Sequence, residues 1–186
     1  MKKILQIILV LTFTASISGF VLSSVNKWAR PFIEENRIRA ISQAIFLVQS
    51  EGKKYEKLNI GELDAYKVFD ENNNSIGFAV VHQGNGFQGP IKLIFGINEE
   101  LNRIKAIEIL EQVETPGLGT LITEDDFKNR FKNLNAQSII KIVKGKKPSN
   151  DYEVQAITGA TISSKAVVEI INDAIAKLKK HNGIEK

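Results

Sequence analysis

Residues 66–110 read YKVFDENNNSIGFAVVHQGNGFQGPIKLIFGINEELNRIKAIEIL. Four apolar-rich runs, 66–69, 76–82, 91–97 and 104–110, are set apart by polar breaks. The first break is the turn cluster 70–74 (DENNN), the second a loop, 83–90, holding Gly84, Gly86 and Gly89, and the third Asn98-Glu99-Glu100. β-Branched and aromatic residues suit a pleated, half-buried surface, and clusters of Asn, Asp and Gly end it, so the pattern predicts hairpins in succession. Strands that follow one another through short turns pair antiparallel, so the expected core is a meander. Ile104, Ala106, Ile107 and Ile109 do not alternate cleanly, which predicts a strand buried on both faces.

Helical periodicity flanks these strands. Downstream, Thr123 reads as the cap of a helix with Glu124, Asp125 and Asp126 in its first turn and Phe127 and Phe131 on one face. A further strand is expected at 139–143, followed by a basic, proline-bearing loop at 144–150. Val167, Val168, Ile170, Ile171, Ala174, Ile175 and Leu178 then form the apolar stripe of a C-terminal helix. Upstream, Ile33, Ile38, Ile41, Ile45 and Val48 share a helix face, and Pro31 is expected to end or kink whatever helix precedes it.

Residues 4–25 contain no charged side chain. As a helix they would extend roughly 33 Å, enough to cross a bilayer core. A cleaved signal peptide, with Lys2-Lys3 as its basic end and Ser16-x-Ser18 as its small-residue site, is the alternative. The apolar run continues through Phe20, Val21 and Leu22, and Trp28 follows at an interfacial spacing, which favours an anchor. Lysine and arginine are nearly balanced across it, so charge does not set the orientation. An N-in anchor with the following domain outside is the simplest arrangement. The resulting class is α+β: one N-terminal transmembrane helix (1–30), a stalk helix (31–52), and a globular domain (53–186) with a mostly antiparallel sheet and flanking helices.

Composition narrows the function. With 43% hydrophobic and 25% charged residues the 186-residue chain is globular, not disordered. The absence of cysteine excludes disulfides, thiolate metal sites and cysteine nucleophiles. A net charge of +4 is too small to argue for nucleic acid. His82 has no evident metal partner, and the acidic pairs Glu99-Glu100 and Asp125-Asp126 read as a turn and a helix first turn, not as acid–base dyads. No catalytic or metal site is expected.

Two loops carry chemistry. Residues 158–164, TGATISS, lie directly before the C-terminal stripe. The first N–H groups of a helix have no internal partner and carry partial positive charge, so a phosphate is stabilised there. Thr161, Ser163 and Ser164 fill the helix start, and Lys165 adds a cation in the first turn. Good capping alone would explain one or two hydroxyls but not the Gly159-Ala160 pair between Thr158 and Thr161. Residues 114–119, ETPGLG, form the second loop: Pro116-Gly117 is strong turn chemistry, and Gly119 permits another close approach.

The two loops together resemble those of the FMN-binding domain proteins. In that family a [Ser/Thr]-Gly-Ala-Thr-x-[Ser/Thr] sequence carries FMN as a phosphoester, and the Glu-Thr-Pro-Gly-Leu-Gly loop lines the flavin. The resemblance extends to Gly89-Pro90-Ile91 and Gly96-Ile97 and covers nearly the whole chain. It implies covalent FMN on Thr161. Thr158, Gly159, Ala160, Ser163, Ser164 and Lys165 would hold the phosphate end, and Glu114, Thr115, Leu118 and Gly119 would surround the ring. Within the family the likeness is greatest to the G subunits of Rnf complexes, which move electrons between ferredoxin and NAD and couple this to ion translocation. The homologous C subunits of sodium-pumping NADH:quinone reductases are the alternative, as is a stand-alone extracytoplasmic flavin carrier. A membrane-anchored anion-binding scaffold is the non-redox reading. The resemblance implies an electron carrier that is not catalytic alone. It would sit in the cell membrane through one span, with its domain on the extracytoplasmic side and other membrane subunits as partners. A separate flavin transferase would load it. The family motif usually has an aspartate three residues before its first hydroxyl residue; here that residue is Gln155, with Glu153 and Asp151 nearby.

Overall fold

The computed structural model describes residues 2–61 and 63–181. It opens on one helix, α1 (Lys2–Val48). Residues up to Ala40 form one compact unit, and Ile41 onward form the other. An 18-residue window of α1 reaches a mean hydropathy of 2.1 with none of it buried, so the helix is long and apolar enough to cross a membrane. Trp28 stacks at a tilt on Phe32 with ring centroids 5.3 Å apart. Pro31 does not end this helix, contrary to one of the two sequence expectations. Proline removes one backbone donor and crowds the preceding turn, but long helical runs on both sides hold the register through it.

The second unit is built on a six-stranded antiparallel meander in chain order. Its strands are β1 (Lys54–Ile60), β2 (Leu63–Phe69), β3 (Ser75–Asn85), β4 (Pro90–Ile97), β5 (Arg103–Gln112) and the two-residue β6 (Leu134–Asn135). β7 (Lys141–Val143) and β8 (Glu153–Gln155) form a separate parallel pair. Helix α2 (Asp125–Lys128) lies between short 3-10 turns at Gly119–Thr123 and Asn129–Phe131, and α3 (Thr161–His181) closes the fold.

Both faces of the central strands are covered. Phe78, Val80, Leu93, Phe95 and Ile97 pack under the α3 residues Val167, Ile171, Ala174 and Leu178. Ala79, Val81 and Ile94 point the other way, onto Ile41, Ala44, Ile45 and Val48 of α1. The period-two alternation of a strand thus feeds two cores. The broken alternation in β5 has a geometric cause. Ile97 pairs with Ile104 but Gly96 pairs with Ala106, so Lys105 is an extra, bulged residue. That insertion brings Ile104 and Ile107 onto the α3 face despite their odd spacing.

The last turn of α1 is locked to the sheet. Buried Gln49 donates from Nε2 to the Phe78 and Ile97 carbonyls, at 2.9 and 3.0 Å. A Cβ on Gly96 would lie 2.1 Å from the Val48 carbonyl oxygen, so only glycine permits this approach. Gly96→Ala should therefore destabilise the domain by about 3 kcal/mol. Thermal unfolding of the full chain in detergent should show a midpoint about 10 °C lower, whereas an unchanged midpoint would mean the helix end is not seated there.

Thr123 does not cap a helix. It ends the 3-10 turn, where its hydroxyl donates to the Thr120 carbonyl at 2.8 Å, and α2 starts behind Glu124 without a side-chain cap. Phe127 and Phe131 are fully buried and meet edge to face, as expected for one helix face.

Candidate functional site

Four segments converge on a cleft of about 590 Å³. The β5–α2 loop brings Glu114, Thr115, Leu118 and Gly119, and the start of α3 brings residues 156–163. The β3–β4 loop adds Phe87, and the chain after β7 adds Lys144 and Gly145. The two loops singled out in the sequence, about 40 residues apart, therefore line one cavity. Its size falls within the usual range for small-molecule sites.

The phosphate-like end is set by chain direction. β7 and β8 run parallel, with Val143 opposite Gln155. The residues just beyond both carboxyl ends, Lys144-Gly145 and 156–161, line the cleft. In α/β units ligands sit beyond the carboxyl ends of parallel strands and before a helix N-terminus, and this two-strand unit feeding α3 has that layout. Gly159 has φ +84°, a left-handed turn that tips the chain into α3. Ser164 pins this turn: its hydroxyl donates to the Ala160 carbonyl at 2.9 Å and accepts the Ile157 N–H at 3.0 Å. Thr161 is the first residue of α3, half-buried on the cleft wall. Among the described residues its hydroxyl has no hydrogen-bond partner.

Glu114 ties three loops together. It is 4% exposed. Its carboxylate accepts the Gln88 N–H at 3.0 Å and a short hydrogen bond from the Ser163 hydroxyl. The approach depends on glycine: a Cβ on Gly86 would lie 2.3 Å from Glu114 Oε1, and one on Gly119 would lie 2.7 Å from the Glu114 Cβ. Burial pushes the Glu114 carboxyl up, but the Ser163 hydroxyl and the N–H groups of Gln88, Gly89 and Phe87 outweigh it and hold the group below the usual carboxylate range. Glu114 is therefore an anion that organises the wall. Gly117 takes φ +73°, as the Pro-Gly turn requires, and Thr115 donates to Gln88 Oε1 at 3.1 Å.

The cleft lining also includes exposed apolar side chains. Phe87, Leu118 and Ile162 are 64, 48 and 56% exposed. Exposed aromatic and branched side chains around a cleft give a planar ring a surface to lie on while leaving its edge in solvent. Hydroxyls, a helix start and exposed apolar side chains lining one cleft suit a ligand with a phosphate and an aromatic ring, as FMN has.

Most of the residues named from sequence line this cleft: Glu114, Thr115, Leu118, Gly119, Thr158, Gly159, Ala160, Thr161 and Ser163. Two do not. Ser164 is buried in the turn it pins, and Lys165 lies outside, paired with Glu169 at 3.1 Å. Gly96, another residue in the family pattern, packs against α1. Sequence reasoning missed Phe87, Lys144, Gly145, Ala156, Ile157 and Ile162. An apolar residue between glycines was the available sign for Phe87. Nothing local marks Lys144, because its place depends on β7 pairing with a strand ten residues away. The two acids near Gln155 are engaged elsewhere. Glu153 accepts the Ser149 N–H at 2.7 Å, and Asp151 pairs with Arg103 at 3.1 Å. His82 meets Asp173 at 2.6 Å, and no cluster among the described residues could hold a metal.

Comparison with known proteins agrees with this geometry. A family profile described as the FMN-binding domain matches residues 86–176, which span the β3–β4 loop, both motif loops and most of α3. The chain is 30% identical over 173 residues to the G subunit of the proton-translocating ferredoxin:NAD(+) oxidoreductase complex of Clostridium ljungdahlii, covering 93% of this chain and 90% of that protein. It is 35% identical over 118 residues to the G subunit of the ion-translocating oxidoreductase complex of Methanosarcina acetivorans, covering 63% of this chain and 60% of that protein. The crystal structure of Shewanella oneidensis NqrC superposes with a TM-score of 0.57 at 23% identity, covering 72% of this chain and 66% of that one, which bears out the α+β fold. With the motif loops on one cleft and a full-length relative at this identity, the chain belongs to the FMN-binding domain family.

Proposed function

We propose that this chain is a membrane-anchored electron-transfer subunit of an ion-translocating ferredoxin:NAD oxidoreductase complex of the Rnf type, carrying FMN as a phosphoester on Thr161. Its family, its G-subunit relatives and an N-terminal helix fit to span a bilayer make it a flavin electron-transfer subunit at a membrane. Covalent attachment at Thr161, the surrounding complex and the extracytoplasmic side of the domain are the proposed part. The observation that carries the reading is the position of Thr161. Its hydroxyl is unengaged among the described residues, and it lines the same cleft as Glu114 at the first turn of α3.

FMN, when bound, supplies the redox chemistry, and the protein supplies position and electrostatics. The α3 N–H groups and Gly159-Ala160 would hold the phosphate end. Leu118 and Phe87 would offer apolar surface to the ring, and Glu114, through Ser163 and Gln88, keeps the cleft's segments together. Attachment would join Thr161 Oγ1 to the FMN phosphorus and break the pyrophosphate of FAD, with AMP leaving and the hydroxyl proton passing to a base of the loading enzyme. Among the described residues no side chain is hydrogen-bonded to the Thr161 hydroxyl to take that proton, which supports loading by a separate flavin transferase.

Detergent extraction of native membranes, followed by a denaturing gel, tests this. A flavin-fluorescent band near 20.7 kDa that co-purifies with other membrane subunits is expected. A colourless band at that mass would refute covalent attachment, and a fluorescent chain that purifies alone would refute membership of a complex.

A further inference from the structure

We propose that Lys144 is the residue that selects a phosphorylated flavin, by pairing with the phosphate of FMN in the cleft; this rests on the cleft being the FMN site. The cleft's lining includes one carboxylate, Glu114, and one side-chain cation, Lys144. Glu114 is held ionised by its hydrogen bonds. A phosphate entering the same cavity adds a second negative charge, and the partial charge at the start of α3 is shared between the two. Lys165, the cation the sequence points to, is taken up by Glu169 outside the cleft. Lys144 has no ion pair among the described residues.

Its position is fixed by backbone. Lys144 directly follows the last residue of β7, and the Ala156 N–H donates to the Val143 carbonyl at 2.8 Å. That bond joins the chain at Lys144 to the segment that runs on to Thr161. Gly145, at φ +68°, then turns the chain away. Lys146 and Lys147 follow in the same loop but do not line the cleft, and Lys146 acts on Glu153 instead. Among the described residues, Lys144 is therefore the one lysine or arginine that lines the cavity Thr161 also lines. Pairing with a phosphate is a charge-assisted contact, whereas an uncharged flavin would gain nothing from it.

The test uses the full chain in detergent with Thr161→Ala as the background, so that flavin exchanges freely, and titrates FMN and riboflavin by fluorescence. Adding Lys144→Gln should weaken FMN about tenfold and leave riboflavin unchanged, as expected for loss of one hydrogen bond to a charged group. Lys144→Arg should restore FMN, and Lys147→Gln should change neither ligand. Equal weakening of FMN and riboflavin by Lys144→Gln would overturn the proposal, since it would mean a lost fold or ring contact; so would no change in either. If the Thr161→Ala background binds neither flavin, the cleft holds FMN only through the bond to Thr161 and the pairing by Lys144 is overturned, whereas the in-gel fluorescence of the parent still decides whether the cleft is the FMN site.

Discussion

Thr161→Ala leaves the denatured polypeptide free of flavin, while the domain unfolds at nearly the same temperature as the parent. Its hydroxyl is the one at the head of α3 that lines the cleft without a protein partner among the described residues, so its removal costs all of the attachment. For the same reason its loss removes no native contact. The stability change should stay within about 0.5 kcal/mol. Thr161→Ser should keep the flavin, because the nucleophilic oxygen and its place on α3 survive. Thr158→Ala, on the exposed side of the turn, should also keep it. In-gel fluorescence across these three variants, with thermal unfolding alongside, reads both arms. Retention of covalent flavin in Thr161→Ala would move the site to another hydroxyl of the 158–164 stretch.

Glu114→Ala should be the most damaging single change to the cleft as a structure. It strands the buried Ser163 hydroxyl, leaves the part-buried Gln88 N–H without its acceptor and removes the group that joins three loops. Leaving buried partners unsatisfied costs about 1–3 kcal/mol each, so a loss of roughly 2–4 kcal/mol is expected. For a chain of this size that lowers the unfolding midpoint by roughly 10 °C. Glu114→Gln keeps the shape and an acceptor oxygen but not the charge, and should lose less. The same carboxylate has a pH signature. Its folded-state pKa lies below its ordinary value of 4.5, so the unfolded chain takes up the proton first as pH falls. Its stabilisation is thus complete above the ordinary value and is lost as pH drops through the lower folded value. The parent should therefore lose stability more steeply than Glu114→Gln below about pH 4.5. Parallel acid-unfolding curves would contradict the role assigned to this group.

The meander was legible because residues 66–110 carry strand and turn chemistry in alternation, and β2 to β5 follow those runs with their ends extended. β1 was not. Lys54, Glu56 and Lys57 break its apolar pattern, as suits an edge strand half in solvent. β8 is three residues long, and its parallel pairing with β7 is non-local, so no periodicity announces it. That one pairing decides which lysine reaches the cleft, which is why Lys165 looked attractive in sequence and Lys144 did not. The two motif loops were readable because glycine, proline and small hydroxyl residues report backbone demands directly. The role of Glu114 as a clamp was not, because it depends on Gly86, Gly119 and Ser163 arriving from separate segments. Pro31 misled for the opposite reason: a strong local signal was overridden by the length of helix on either side.

The central claim is a covalent flavin on one named hydroxyl. Mass spectrometry of the protein purified from its native membrane, intact and after proteolysis, tests it most directly. The account predicts an intact mass raised by one FMN residue, with the added mass confined to the peptide containing Thr161. An unmodified intact mass in a preparation whose flavin is released on denaturation, or an adduct on a peptide outside residues 158–164, would contradict it.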